Sequence, residues 1–189
     1  MADQPRISRL IIEGQQFSGK TTIANNLARR YLPGNPFLFK LSGPATGADD
    51  KSFKSYVENV LLDYSNLFRH ITANSIICDK FHISEQVYGK FYRGYEHDQE
   101  FIESVEATLH QMGFKIIHLV MDDKLIDERL TLKEIEYTTS RGQLPPEGDQ
   151  QEIKRLYEKY VSVSRLDAVR VDVTGKTVLE TVQEILTRI

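Results

Sequence analysis

Gly14-Gln15-Gln16-Phe17-Ser18-Gly19-Lys20-Thr21 is an unbroken G-x-x-x-x-G-K-T, and its flanks decide the fold. Upstream, the apolar run within Ile7 to Glu13 stops at Gly14 and predicts a first strand. Downstream, the pattern from Lys20 to about Tyr31 predicts a helix, broken by Pro33-Gly34. A glycine-rich turn between strand and helix aims backbone N–H groups at a helix N-terminus, where unpaired donors and the helix dipole both attract phosphate. Its glycines let main chain approach the anion closely. Lys20 is expected to reach the β- and γ-phosphates of ATP, and the Thr21 hydroxyl to ligate Mg²⁺. The expected ATP-binding residues are Gly14, Gln15, Gln16, Phe17, Ser18, Gly19, Lys20, Thr21 and Thr22, with Thr22 closing the turn by local packing.

Outward from this loop, strands and helices alternate. Phe37 to Leu41, Ser75 to Asp79, Lys115 to Met121 and Val169 to Val173 predict four further short strands. Between them, Phe53, Val57, Val60, Leu61 and Phe68 recur at helical spacing after a loop in which Asp49 or Asp50 caps the helix. A short helix from Ser84 follows the third strand. A longer one carries Phe101, Val105, Leu109 and Met112 and ends near Gly113. The segment Asp123 to Thr138 reads as helix and is followed by a polar loop. Ile153, Leu156, Tyr157 and Tyr160 mark the next helix, and Val178, Val182, Ile185 and Ile189 the last. The pattern predicts an α/β fold with a doubly wound, five-stranded parallel sheet. A chain of 189 residues suits one domain spanning 1–189, with the loop 139–149 inside it as a lid.

Composition narrows the partners. Hydrophobic residues make up 40% and charged residues 27%, and no stretch reaches the roughly 20 apolar residues of a membrane helix. The first ten residues, MADQPRISRL, lack the apolar core of a secretory leader, so a cytoplasmic setting is expected. Cys78 is the single cysteine and reads as a small core residue. A net charge of −3 offers no electrostatic footprint for duplex DNA. His70, His82, His97, His110 and His118 show no ligand-like pairing, so no histidine metal site is expected.

A phosphate-binding loop specifies a nucleotide, not the fate of its phosphoryl group. Asp79 closes the third strand, and at the carboxyl edge of a parallel sheet it points into the ligand crevice. There it can hold Mg²⁺ through water or accept a hydrogen bond from substrate. The run Asp79-Lys80-Phe81-His82-Ile83-Ser84-Glu85-Gln86-Val87-Tyr88 resembles the thymidylate kinase family, which has Asp-Arg-Tyr/Phe, a serine three residues on, and an aliphatic–Tyr pair. Ile12-Glu13-Gly14, Tyr92-Arg93-Gly94, Met121-Asp122 and the helix around Arg155-Leu156-Tyr157 are similar to family counterparts in the same order.

That resemblance implies a P-loop kinase fold, an ATP·Mg²⁺ donor, a deoxynucleoside monophosphate acceptor and a homodimer. It makes Lys20 and Asp79 catalytic, Thr21 and Asp79 the metal side chains, and Arg141 in the lid an arginine finger. For the acceptor it marks Lys40, Lys80 and Arg93 as phosphate-side cations. Phe53, Tyr56, Phe81 and Tyr88 are the aromatic candidates for holding the base, since ring faces stack on nucleobases. This chain departs from the family in three places. Gln16 stands where the family has an aspartate for the sugar hydroxyl, Phe17 replaces a small residue, and Lys80 replaces an arginine, losing its bidentate fork. These departures point to a divergent member that takes a modified or unusual pyrimidine, or several bases, as acceptor.

Three other functions share the motif. A nucleoside kinase needs a carboxylate base just after the second strand, where this chain has Lys40-Leu41-Ser42-Gly43. A kinase acting on DNA or RNA would use a basic rim of Lys51, Lys54, Arg69, Lys90 and Arg93. A nucleotide-dependent switch would need no acceptor.

Overall fold

The computed structural model describes residues 8–32, 34–41, 50–71, 75–126, 128–129 and 148–189. Its sheet has five strands: β1 (Arg9–Gly14), β2 (Phe37–Lys40), β3 (Ile76–Asp79), β4 (Lys115–Val120) and β5 (Ala168–Asp172). They lie in the order β2-β3-β1-β4-β5, and every neighbouring pair is parallel. Parallel neighbours require a crossover between strands. The described helices are α1 (Lys20–Asn26), α2 (Asp50–His70), α3 (His82–Arg93), α4 (Gln99–Gln111), α5 (Gly148–Val163) and α6 (Val178–Arg188).

Side chains alternate across a strand, so β1 feeds two apolar layers. Leu10 and Ile12 pack with Ile23, Leu27, Val182 and Ile185 on the α1 and α6 side. Ile11 joins Phe39, Phe53, Phe68, Phe81 and Tyr157 on the other. Cys78 is buried in that second layer, as its apolar surroundings suggested. Because β1 is central, with β3 on one side and β4 on the other, its carboxyl end lies at the point where the winding reverses. In open α/β sheets that crevice is where ligands bind.

Several boundaries differ from the sequence reading. The helix after β1 gives way to a π-helical turn at Leu27–Tyr31. Val178, expected on the buried stripe of α6, is 40% exposed, while Val182 and Ile185 are buried. Thr177 and Glu180 start α6 with a reciprocal capping box. The helix after β3 begins at His82, two residues before Ser84, and runs twelve residues rather than a short stretch. Its cause is non-local: a carboxylate on β1 receives the first N–H groups of α3. Residues 123–126 and 128–129 are helical as predicted, and Asp50, one of the two expected caps, is the first residue of α2, whereas the remainder of the 123–138 helix, Asp49 and the loop to residue 147 lie outside the described residues. Among the described residues no helix is long and apolar enough to cross a membrane.

Candidate functional site

The loop at the end of β1 is built around backbone that side chains tolerate poorly. Gly14 has φ 145°, and a Cβ there would sit 2.3 Å from the Leu119 carbonyl oxygen of β4. Gly19, at φ 88°, has open space where a Cβ would be, on the side a phosphate would approach. Phe17 adopts φ 62° without being glycine. The Ser18 hydroxyl donates to the Gln15 carbonyl at 2.9 Å and closes the turn.

Lys20 folds back into its own loop. Its Nζ donates to the Gly14 carbonyl at 2.7 Å and to the Gln15 carbonyl. Burial pulls its pKa down to about 7, the nearby Lys80 charge adds to that, and Glu13 and Asp79 oppose it. The ammonium therefore occupies the cradle that phosphates would fill, and incoming anionic oxygens would replace the two carbonyls.

Asp79 stands opposite, at the end of β3. Its Oδ2 accepts the Thr21 hydroxyl at 2.7 Å, so the two residues expected to serve a metal meet across 58 residues of chain. Asp79 Oδ1 is buried and has no hydrogen-bond partner. A buried carboxylate oxygen left unsatisfied is costly, and a hard cation with its waters is the partner that suits it. The pair thus fits Mg²⁺, which takes few protein oxygens and completes its shell with water and phosphate. Among the described residues no cluster of three or more His, Cys, Asp or Glu side chains could hold a metal alone.

Beside the loop lies a cavity of about 570 Å³, walled by Phe17, Gly19, Thr22, Arg129, Val173 and Lys176 among others. Its polar edge against the loop and its apolar far wall suit a nucleotide whose phosphates rest in the cradle. Arg129 donates from Nη1 to the Phe17 carbonyl at 2.6 Å, clamping the tip of the loop. Neither motif nor periodicity assigns Arg129 a role, because only the fold brings it within reach of Phe17, 112 residues away.

On the acceptor side the expected residues separate. Lys40 is exposed at the end of β2, in register with Asp79. Lys80 is half-buried at φ 71°, close enough to Lys20 to influence its ionisation. Arg93 donates to Glu85 Oε2 at 3.1 Å and lies 4.6 Å from the centroid of the Phe53 ring. Tyr56 is 62% exposed, with its ring 5.9 Å from that of Phe53. Tyr88 is half-buried, with its hydroxyl turned inward to Tyr157, and desolvation pushes that hydroxyl above the ordinary range. Phe81 is a correction. Its ring is fully enclosed between Phe39 and Phe68 in the apolar layer and has no free face for a base. Arg141, the expected lid arginine, lies outside the described residues.

Beneath the loop is a polar cluster that periodicity passed over. Glu13 is fully buried, and its Oε1 accepts the Phe81 N–H at 2.9 Å and the Ser84 N–H at 3.3 Å. Its Oε2 accepts the Ser84 hydroxyl, which also meets the Tyr157 hydroxyl at 2.9 Å. Burial raises the Glu13 pKa, while Ser84 and the other donors pull it back. His118 of β4, in register with Glu13, stacks on Tyr157 with ring centroids 6.1 Å apart. Burial lowers its pKa to about 4, with Arg170 and Lys20 adding to the effect. The Gln15 side chain donates to the Gln150 carbonyl of α5 at 3.1 Å.

No known family model matches the chain, and no curated protein matches it in sequence. Its structure, however, is similar to several solved structures, thymidylate kinases among them. The YorR protein of Bacillus subtilis, solved in complex with phosphorylated GDP, superposes with a TM-score of 0.69 at 20% identity, over 96% of this chain and 95% of that one. The Candida albicans thymidylate kinase gives 0.58 at 17% identity, covering 98% and 92%. The Ehrlichia chaffeensis thymidylate kinase gives 0.59 at 16%, covering 97% and 99%. With its five parallel strands and its phosphate-binding loop, the chain has the fold of the thymidylate kinase-like P-loop kinases, in a divergent sequence.

Proposed function

We propose that this protein transfers the γ-phosphoryl group of ATP to a nucleoside monophosphate, of thymidylate type or a modified pyrimidine, giving the diphosphate. The observation that carries the reading is the meeting of the Thr21 hydroxyl with Asp79 at 2.7 Å, beside an unpartnered Asp79 oxygen and the ammonium of Lys20. Phosphoryl transfer between two anions is mainly a matter of positioning and charge neutralisation. Bound Mg²⁺, held by Thr21 and Asp79, would supply part of that neutralisation. Lys20 leaves the Gly14 and Gln15 carbonyls for the donor's phosphates, and the loop N–H groups hold the remaining oxygens. Lys80, next to the cradle, and Lys40 receive the acceptor phosphate, while Arg93 and Phe53 border the base. Arg141 is assigned to the lid, over the group in transfer.

Charge pairing supports a small acceptor over a nucleic acid. Of the expected basic rim, Lys54 pairs with Glu58 and Asp98, Lys90 with Glu96, and Arg93 with Glu85, while Arg69 donates to Thr108. Cations already paired with carboxylates release few counterions from a polyanion. Lys40, a cation where a nucleoside kinase needs a base, favours an acceptor that already carries phosphate.

The test is an ATP-consumption screen over nucleoside monophosphates and free nucleosides. Turnover stimulated by a pyrimidine monophosphate is expected. ATP hydrolysis indifferent to every acceptor refutes the proposal. Lys20→Ala and Asp79→Ala are each expected to abolish transfer while circular dichroism stays unchanged.

A further inference from the structure

We infer that Glu13, Ser84 and Tyr157 form a positioning relay that holds Lys80 at the cradle and links it to helix α5. The inference rests on the phosphotransfer reading for its kinetic consequences and on geometry alone for its structural ones.

A carboxylate accepts hydrogen bonds and donates none, so the orientation of the chain is fixed from one end. The Ser84 hydroxyl donates to Glu13, and the Ser84 oxygen in turn lies within hydrogen-bond reach of the Tyr157 hydroxyl, which also meets Tyr88. All three residues are buried, and their polar atoms find partners in one another, in the backbone of α3 and, for Tyr157, in the Tyr88 hydroxyl. Burying a carboxylate at a strand–helix contact costs far more than an aliphatic side chain would. Packing of β1 on α3 does not require it.

Its placement accounts for it. Glu13 immediately precedes Gly14, so the cradle moves with it. The Phe81 N–H that it binds belongs to the peptide just after Lys80, the residue held at φ 71°. A lysine in the left-handed region is strained and persists only when its surroundings fix the neighbouring peptides. Glu13 fixes the following one. On the preceding side, the Lys80 N–H donates to the Ile12 carbonyl at 3.1 Å, one residue before Glu13. Residues 12 and 13 of β1 thus clamp both sides of Lys80. Tyr157 adds the third element. It lies on α5, whose first turn is tied to the loop by the Gln15 to Gln150 bond. A shift of α5 therefore reaches Ser84, Glu13 and Lys80 in turn.

The experiment uses the whole chain with Tyr157→Phe, Ser84→Ala, Lys80→Ala and the doubles Tyr157→Phe/Ser84→Ala and Ser84→Ala/Lys80→Ala. Turnover, acceptor KM, affinity for a non-hydrolysable ATP analogue with Mg²⁺, and melting temperature are measured. The relay predicts that Tyr157→Phe and Ser84→Ala each lower kcat about tenfold while analogue affinity stays within about twofold. Both doubles are expected to be no slower than the slower of their singles, because the residues act as one unit. A fall in melting temperature with unchanged kcat overturns the relay, as does multiplication of the single effects. Wild-type protein with no acceptor-dependent turnover refutes the phosphotransfer reading instead. Hydrogen exchange at the Phe81 and Ser84 amides then decides the relay without turnover. Adding the analogue is expected to protect both amides in wild type and not in Tyr157→Phe, and equal protection in the two proteins overturns the inference.

Discussion

His118 makes the protein acid-sensitive in a window that its surroundings define. Burial beneath the loop, with Arg170 and Lys20 nearby, lowers its pKa from the ordinary 6.5 to about 4. The unfolded chain therefore binds a proton below about pH 6.5 that the folded chain refuses until about pH 4. Where the unfolded state binds more protons, stability rises with pH, so this contribution is fully present above about 6.5 and is lost on acidification towards 4. Linkage between those two values gives a loss of about 2 kcal/mol at pH 5 and about 3 kcal/mol at pH 4. Those are large fractions of the 5–15 kcal/mol that is typical of a domain. The assay is urea unfolding of wild type and His118→Asn at intervals from pH 7.5 to 4.5. Asparagine keeps a polar group on β4 and cannot titrate, so its fixed cost cancels from the comparison. Wild type is expected to lose about 2 kcal/mol more than the variant between pH 7.5 and 5. Parallel loss in both proteins refutes the burial argument.

The loop separates two glycines that sequence treats alike. Gly14→Ala drives a Cβ into the Leu119 carbonyl at 2.3 Å, backbone that cannot yield, and is expected to cost about 3 kcal/mol or more by thermal melt. Gly19→Ala meets no protein atom and is expected to cost only about 1 kcal/mol of conformational strain. Yet it should weaken ATP-analogue binding at least tenfold in calorimetry, because the methyl group stands in the phosphate's path. Equal destabilisation by the two substitutions would contradict this geometry. Phe81→Ala tests the corrected role of that ring: a loss of about 3–5 kcal/mol in urea unfolding is expected from the cavity left in the core. Acceptor KM, measured where the variant is folded, should stay within about twofold of wild type. A selective rise in KM without loss of stability would restore Phe81 to the base site.

Periodicity located the sheet because each strand is short, apolar and followed by a break, and a parallel sheet buries both faces of such strands. The parallel, doubly wound arrangement followed from alternation with helices, since each crossover has one favoured hand, whereas the order β2-β3-β1-β4-β5 came only with the structure. The G-x-x-x-x-G-K-T loop was legible for a different reason. The phosphate binding proposed for it would require backbone freedom and one lysine at a fixed spacing, so the signal lies within eight consecutive residues. Asp79 drew notice because a strand's carboxyl end is a predictable place for a side chain that faces the crevice. The contacts that complete the site are long-range, and no local pattern encodes them. Arg129 is a surface-type residue until the fold brings it to Phe17. The Phe81 ring looked available because its neighbours in sequence line the crevice. In space its neighbours are Phe39 and Phe68, from β2 and α2.

Glu13 shows the same limit from the opposite side. In an apolar strand, a lone carboxylate reads as an interruption, or as the polar end where the strand meets solvent. Burial without compensation would exclude it from the core, and its compensation comes from α3, 68 residues later. The start of α3 was misplaced for the same reason, since the acceptor for its first N–H groups belongs to another element. One long-range interaction therefore accounts both for a residue without an assigned role and for a misjudged helix boundary. The departures from the thymidylate kinase pattern sort along the same line. Gln16 and Phe17 lie on the outer, half-buried part of the loop, where a change of contact costs little elsewhere. Glu13, Lys20 and Asp79 are buried and interlocked through hydrogen bonds or charge, so replacing any one of them would leave a buried polar group without its partner. On the proposed reading, a change of acceptor would fall more easily on Gln16 and Phe17 than on these three buried residues, whereas the third departure, Lys80, lies half-buried between them and the rim.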